Sequence, residues 1–285
     1  MGFVTRFAPS PTGPLHLGHA YSAILAHDMA RKSGGRFLLR IEDIDWSRSR
    51  PEWEELIYED LRWLGLSWED PVMRQSERLD AYHEVLKSLW DQEAVFACTC
   101  NRRDILAAAS APHEGDPPTG PDGVIYPGTC RTHRSKQGSS PIPGDAALRL
   151  DMEKASAFLT FEETGAGPKG ETGQIQVEPD ALVQGVGDVV VSRREMGTSY
   201  HLSVVLDDAA QGINQVIRGE DLFEATKIHV VLQHLLGLPT PTYHHHRLIR
   251  DDAGKRLAKR DDARAIKTYR ESGAKPEDIR RMVGL

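Results

Sequence analysis

The chain has 285 residues, with 39% hydrophobic and 27% charged side chains, a composition that excludes a disordered or fibrous protein and allows a sizeable core. A formal net charge of −7 excludes broad nonspecific nucleic-acid binding, which depends on neutralising many phosphates. The N-terminal run Met1 to Gly13 lacks a basic segment followed by an apolar one, and no stretch approaches the roughly 20 apolar residues that span a bilayer, so a cytoplasmic protein with no membrane partner is expected.

In chain order, Phe3 to Ser10 reads as a short strand, and the turn-rich Pro11-Thr12-Gly13-Pro14 leads into a helix over Ala20 to Arg31. Arg36 to Ile41 is apolar enough for a buried strand. Glu52 to Leu64 sets Trp53, Leu56, Ile57, Asp60, Leu61 and Leu64, mostly apolar, at helical spacing, and Leu79, Tyr82, Val85, Leu86 and Leu89 repeat that pattern. Strand and helix thus alternate over the first ninety residues, as in an α/β fold with a parallel sheet. Pro and Gly then crowd 111–128 and interrupt the alternation. Short strand-like runs follow at Ala147 to Leu150, Phe158 to Phe161 and Gln174 to Val177. Long apolar strands are expected at Asp188 to Ser192 and Leu202 to Leu206, then a helix around Val230 to Leu238 and a charged loop from Arg250 to Asp262. The expected division is 1–96 and 188–263 as two halves of a nucleotide-binding core, 97–187 as an insertion between them, and 264–285 as a short helical tail.

His16-Leu17-Gly18-His19 sits just before the first predicted helix, where exposed N–H groups and the helix dipole favour an anion and Gly permits close approach to a nucleotide. Far downstream, Lys255-Arg256-Leu257-Ala258-Lys259 offers cations to a departing pyrophosphate. From His245 to the C-terminus there are twelve Lys and Arg against seven Asp and Glu, a local +5 that suits phosphates; a solvated mixed-charge face is the alternative.

Together and in this order, the two segments resemble the signature motifs of class I aminoacyl-tRNA synthetases. Arg6-Phe7-Ala8-Pro9-Ser10-Pro11-Thr12-Gly13, Arg40-Ile41-Glu42-Asp43-Ile44-Asp45, Tyr200 and Ile217-Arg218-Gly219-Glu220-Asp221-Leu222 resemble the glutamate branch of that class. In the second signature Arg256 and Ala258 replace the more usual Lys and Ser, while Lys259 is kept. The resemblance implies an α/β, Rossmann-like catalytic core with an inserted α+β zinc-containing subdomain. It implies that His16, His19 and Lys259 are catalytic and contact ATP with Pro9 and Gly18, with Mg²⁺ as counter-ion. Glutamate would be bound by Arg6, Ala8, Ser10, Glu42, Tyr200 and Arg218. A doubly anionic amino acid with one ammonium calls for fixed guanidiniums and an acceptor, roles that Arg6 and Arg218, and Glu42 and Ser10, can fill, with Tyr200 as wall and donor.

All three cysteines, Cys98, Cys100 and Cys130, fall in one window. In a reducing compartment that clustering favours a metal over a disulfide, and three thiolates are three of the four ligands of a tetrahedral zinc site. By chemistry the fourth is His113 or His133; the resembled family uses the Tyr of Tyr-Pro-Gly-x-Cys, here Tyr126. Buried thiols without metal are the other reading.

After Lys259 only 26 residues remain, whereas an anticodon-reading module needs on the order of 100. With the other motifs retained, the chain is similar to the glutamyl-Q tRNA(Asp) synthetases, truncated relatives of glutamyl-tRNA synthetase. That resemblance implies tRNA-independent activation of glutamate as its adenylate and transfer to queuosine in the anticodon loop of tRNA(Asp), by a monomer. The alternatives are a truncated conventional glutamyl-tRNA synthetase, a noncatalytic tRNA-binding paralogue and a small-molecule nucleotidyltransferase.

Overall fold

Strand and helix alternate through the first part of the chain: β1 (Val4–Phe7), α1 (Leu17–Lys32), β2 (Arg36–Ile41), α2 (Pro51–Trp63), β3 (Glu69–Arg74) and, after a 3-10 turn, α3 (Leu79–Asp91). The computed structural model describes residues 2–110, 117–131, 140–250 and 264–285. β2 pairs in parallel with β1 on one side and β3 on the other. The face that α1 lays on this sheet is mostly alanine, with Ala20, Ala23 and Ala30 fully buried beside Ile24, so the helix axis can approach the strands closely. A fully buried Ile such as Ile24 contributes about 1.5–3 kcal/mol of transfer free energy.

The middle of the chain runs through β4 (Val95–Cys98), α4 (Arg102–Ser110), the small hairpin β5 (Thr119–Gly120) and β6 (Gly123–Val124), β7 (Ala147–Leu150), α5 (Met152–Ala155), β8 (Leu159–Glu163), β9 (Gly173–Val177), α6 (Pro179–Gly185) and β10 (Val190–Ser192). β4 and β10 flank β7 in an antiparallel sheet. The rest comprises α7 (Tyr200–Ala210), β11 (Gln215–Gly219), a 3-10 turn, α8 (Phe223–Leu235), β12 (Thr242–His246), α9 (Ile266–Glu271) and α10 (Pro276–Val283). β11 and β12 are parallel, and β8 joins them in parallel through Glu163 opposite Tyr243, with β9 antiparallel at the edge. Gly165 makes that junction possible: a Cβ there would lie 2.1 Å from the His245 carbonyl oxygen.

The expected strand at Leu202 to Leu206 is instead the middle of helix α7. Ser199 caps it, its hydroxyl accepting from the Leu202 N–H at 3.4 Å. Leu202, Val204 and Val205 are all buried, so the run carries no alternation, and a short buried apolar run reads alike as strand or helix. Successive residues of a helix point about 100° apart, so Asp207 and Asp208 meet different partners.

The two parallel sheets meet at β1 and β11. The Asn214 N–H donates to the Val4 carbonyl at 3.1 Å, and the Val4 N–H to Asn214 Oδ1 at 2.8 Å. Connections leave this junction in opposite directions, so the C-terminal ends of β1 and β11 border a crevice, the usual ligand position in an open α/β sheet. The tail packs back on the same region: α10 lies against α1, with Arg280 bidentate to Asp28 at 2.6 and 3.1 Å. Ile266 N–H donates to the Leu15 carbonyl at 2.8 Å, and Ala265 bridges to His16. Lys255, Arg256, Ala258 and Lys259 lie outside the described residues, as do His113 and His133. Among the described residues no helix is long and apolar enough to cross a membrane.

Candidate active site

A cavity of about 660 Å³ opens at the β1/β11 switch point. Its lining includes each described residue that the sequence pattern points to for amino acid or nucleotide: Arg6, Ala8, Pro9, Ser10, His16, Gly18, His19, Glu42, Tyr200 and Arg218. They come from the ends of β1, β2 and β11 and the N-termini of α1 and α7.

The α1 end is a fixed imidazole pair. His16 Nδ1 accepts from the Gly18 N–H at 3.1 Å, His19 Nδ1 accepts from the His16 N–H at 3.2 Å, and the two rings stack with centroids 3.8 Å apart. Because each Nδ1 is an acceptor, a neutral ring carries its proton on Nε2, a donor suited to a phosphate oxygen. A Cβ at Gly18 would lie 3.0 Å from His16 Cε1, so a side chain there would press on the ring.

The amino-acid end rests on a buried ionic network that the sequence pattern does not reveal. Asp208 of α7 accepts from Arg6 Nε at 2.8 Å, Arg6 Nη2 at 3.3 Å and Arg40 Nη1 at 2.6 Å. Arg40, fully buried, also donates from Nη2 to Glu42 Oε1 at 3.1 Å. Burial opposes the charge on Asp208, yet the two guanidiniums outweigh it and hold the carboxyl below its ordinary range. At Glu42 burial wins over Arg40 and Arg6 and pushes the carboxyl up. Asp207, the neighbouring residue, accepts from Gln75, Arg78 and Tyr82 at 2.7–3.0 Å and ties α7 to the segment after β3.

Arg218 is held differently. Its Nε donates to His245 Nε2 at 3.2 Å, Nη1 to His229 Nδ1 at 3.1 Å and Nη2 to Thr226 Oγ1 at 2.5 Å, and the guanidinium lies 5.2 Å from the Tyr243 ring centre. These partners are all neutral. Both imidazoles must present a lone pair to Arg218, so His245 carries its proton on Nδ1, where it faces Glu163 Oε2 at 2.5 Å, and His229 carries its proton on Nε2, facing His201 Nδ1 at 3.1 Å. Burial first, and the Arg218 charge next, hold His229 well below the ordinary histidine range; at His245 burial likewise outweighs Glu163. Among the described residues Arg218 makes no salt bridge. A cation that is 93% buried, with only neutral acceptors around it, is poised for an anionic ligand.

A second cluster lies in the β4–β7–β10 region. The sulfurs of Cys98, Cys100 and Cys130 lie within 4.8 Å of one another, and the Tyr126 hydroxyl is 3.5 Å from Cys98 Sγ and 3.8 Å from Cys100 Sγ. A tetrahedral zinc with Zn–S bonds of about 2.3 Å separates its sulfurs by roughly 3.8 Å, so the cluster has the size of such a site. Burial opposes the Cys130 thiolate, but hydrogen bonds from Tyr126, the Thr99 backbone and Cys100 hold it at about 6, whereas burial and Cys130 push Cys100 up to about 11. The Thr99 carbonyl accepts from Arg194 Nη2 at 2.7 Å, joining the cysteine turn to the segment whose Arg193 and Met196 line the cavity.

A family model for the catalytic domain of class I tRNA synthetases (E and Q) matches residues 3–285. The chain belongs to that family. Among curated proteins, this class I synthetase chain is 62% identical to a glutamyl-Q tRNA(Asp) synthetase from Rhodobacter capsulatus, over 99% of this chain and 100% of that one. A glutamyl-Q tRNA(Asp) synthetase from Nocardia farcinica is 40% identical, over 98% of this chain and 83% of that protein. Among solved structures, the glutamate tRNA ligase from Elizabethkingia meningosepticum in complex with its amino acid superposes with a TM-score of 0.78 at 27% identity; the match covers this whole chain and 61% of that one. The synthetase core with its parallel sheet, expected from the signature motifs, is thus the fold observed.

Proposed function

We propose that this chain activates glutamate with ATP and transfers it to the queuosine base in the anticodon loop of tRNA(Asp), as a cytoplasmic monomer. The observation that carries the glutamate part is Arg218, a buried cation among neutral acceptors at the wall of a cavity that Arg6 and Glu42 also line. Arg6 and Arg218 receive the two carboxylates, Glu42 and Ser10 receive the ammonium, and Ala8 and Tyr200 wall the pocket. Glu163 and His245 act as positioning residues by fixing the tautomer that Arg218 meets. The acceptor part is supported by the glutamyl-Q tRNA(Asp) synthetase that is 62% identical along its whole length.

In the first step an α-carboxylate oxygen of glutamate attacks the α-phosphorus of ATP, and the bond from that phosphorus to the bridging oxygen breaks, releasing pyrophosphate. His16 and His19 donate to phosphate oxygens, Pro9 and Gly18 let the nucleotide approach the backbone, and Lys259 balances charge on the departing phosphates. Mg²⁺ supplies further charge neutralisation when bound. In the second step a hydroxyl of the queuosine cyclopentene diol attacks the mixed anhydride, AMP leaves and the hydroxyl proton is lost. The conventional 3′-end reaction is the rival, and the acceptor separates the two.

The test of the first step is glutamate-dependent pyrophosphate exchange with no RNA present, which should occur. Removing one preorganised transition-state donor costs about 100- to 1000-fold, so Lys259→Ala should depress the exchange by that factor. Exchange that needs tRNA, or that is unchanged in the variant, contradicts this mechanism.

Cys98, Cys100 and Cys130 with Tyr126 fit one structural Zn²⁺, which would cross-link β4 to the segment ending at Cys130. Metal analysis should find about one zinc per chain. Cys100→Ser should lose the metal and lower transfer to tRNA more than pyrophosphate exchange, because the Thr99–Arg194 link carries the disturbance to the outer edge of the cavity. A metal-free protein with undiminished transfer would retire the zinc.

A further inference from the structure

The loop after β2 presents Trp46 to solvent. Its side chain is 58% exposed, the largest apolar ring so displayed among the described residues. Asp45 and Arg48 on either side of it both line the active-site cavity. An exposed ring on a loose loop would be unremarkable, but this loop is built. Ser47 Oγ and Arg48 Nε donate to the two Asp45 carboxylate oxygens at 2.6 Å each. The Ser49 N–H returns to the Asp45 carbonyl at 2.9 Å, and the Arg50 N–H donates to the Pro11 carbonyl at 3.0 Å. The Arg50 guanidinium then closes the turn from outside, donating to the Ser49 and Ser47 carbonyls at 2.7 and 3.1 Å. The ring is therefore held out by a preordered turn, with the conformational entropy of the loop already spent.

We propose that Trp46 is a stacking platform for an unpaired nucleobase of the anticodon loop, next to the nucleoside that accepts glutamate. This rests on the acceptor reading above. A protein partner would call for a contiguous apolar patch. Among the described residues the other large exposed apolar side chains, Phe158, Tyr200, Met282 and Leu285, lie on other elements, and Tyr200 belongs to the cavity. Asp45, Arg48 and Arg50 give the turn a net charge of +1, and Arg48, two residues along the turn from Trp46, is paired with Asp45 yet 68% exposed. A flat π-face with a neighbouring guanidinium is what a splayed base and its phosphate require. Because the acceptor must enter the cavity, the nucleotide beside it passes the cavity edge, where Asp45 and Arg48 flank Trp46 in the turn.

Stacking of one base on an aromatic side chain is worth about 1–3 kcal/mol, or roughly 5- to 150-fold. In Trp46→Ala, kcat/KM for queuosine-containing tRNA(Asp) should fall by that factor, while glutamate-dependent pyrophosphate exchange without RNA stays at the wild-type rate. Trp46→Phe should recover most of the loss. The defect should persist on tRNA(Asp) lacking its terminal adenosine. Unchanged kcat/KM in Trp46→Ala overturns the platform while leaving the acceptor reading intact. An equal loss of RNA-free exchange makes Trp46 a structural residue, and a defect that vanishes on the shortened RNA moves the contact to the 3′ end; either result overturns the platform. A wild-type enzyme indifferent to queuosine overturns the acceptor reading and the platform with it.

Discussion

Replacing Arg218 with alanine is expected to lower kcat/KM for glutamate by about 30- to 5000-fold, the effect of removing one partner of a buried charged contact worth about 2–5 kcal/mol. The loss should fall on glutamate and leave the KM for ATP essentially unchanged, because Arg218 lies at the end of β11 while the imidazole pair lies at the head of α1. Lysine should not rescue it. Arg218 spreads its donors over His245, His229 and Thr226, and a single ammonium cannot meet three acceptors placed for a planar fork. The neutral imidazoles add a pH signature. Since burial lowers both His229 and His245 from the ordinary value of 6.5, the acceptor form persists below that pH. The KM for glutamate should therefore be flat from pH 8 to 6.5 and rise only on further acidification. Wild-type-like kinetics in Arg218→Ala would remove the residue from the amino-acid site.

The second large effect is on stability. Asp208→Ala takes the carboxylate partner from the buried Arg6 and one of two from the fully buried Arg40, which keeps Glu42, and breaking buried pairs in this way costs about 3–5 kcal/mol. For a domain of this size each kcal/mol moves Tm by about 2–4 °C, so calorimetry should show a fall of roughly 6–20 °C. Asp208→Asn keeps the shape and one acceptor oxygen and should lose less. A Tm for Asp208→Ala within about 2 °C of wild type would mean that Arg6 and Arg40 find other partners and that Asp208 is not their anchor.

How the candidate site divides between sequence and fold follows from distance along the chain. His16, Gly18 and His19 lie within four residues, and Arg6 to Ser10 within five, so their placement at strand and helix ends could be read locally. The alternation of β1, α1, β2 and α2 was legible for the same reason, since each element carries its own periodicity. β3 was not: Glu69-Asp70-Pro71-Val72-Met73-Arg74 is a polar, Pro-containing edge strand without an apolar signature. Nor was α7, whose burial erases the period that distinguishes helix from strand. The partners that set the charge balance are remoter still. Asp208 is 202 residues from Arg6, and Glu163 reaches His245 across 82 residues only because β8 adds to β12. The run His244-His245-His246, which makes up most of the short strand β12, was a visible signal, but nothing local says which of the three faces an arginine. Lys259, recognised from its motif, lies outside the described residues and rests on the motif alone.

The most direct measurement is transfer of labelled glutamate to tRNA(Asp) shortened by its terminal adenosine, prepared with and without queuosine. Periodate blocking would not serve, because it destroys the cis-diol of queuosine as well as that of the terminal ribose. Glutamate should be transferred to the shortened RNA that carries queuosine and not to the one that lacks it. Transfer that requires the terminal adenosine and ignores queuosine would make this a conventional charging enzyme.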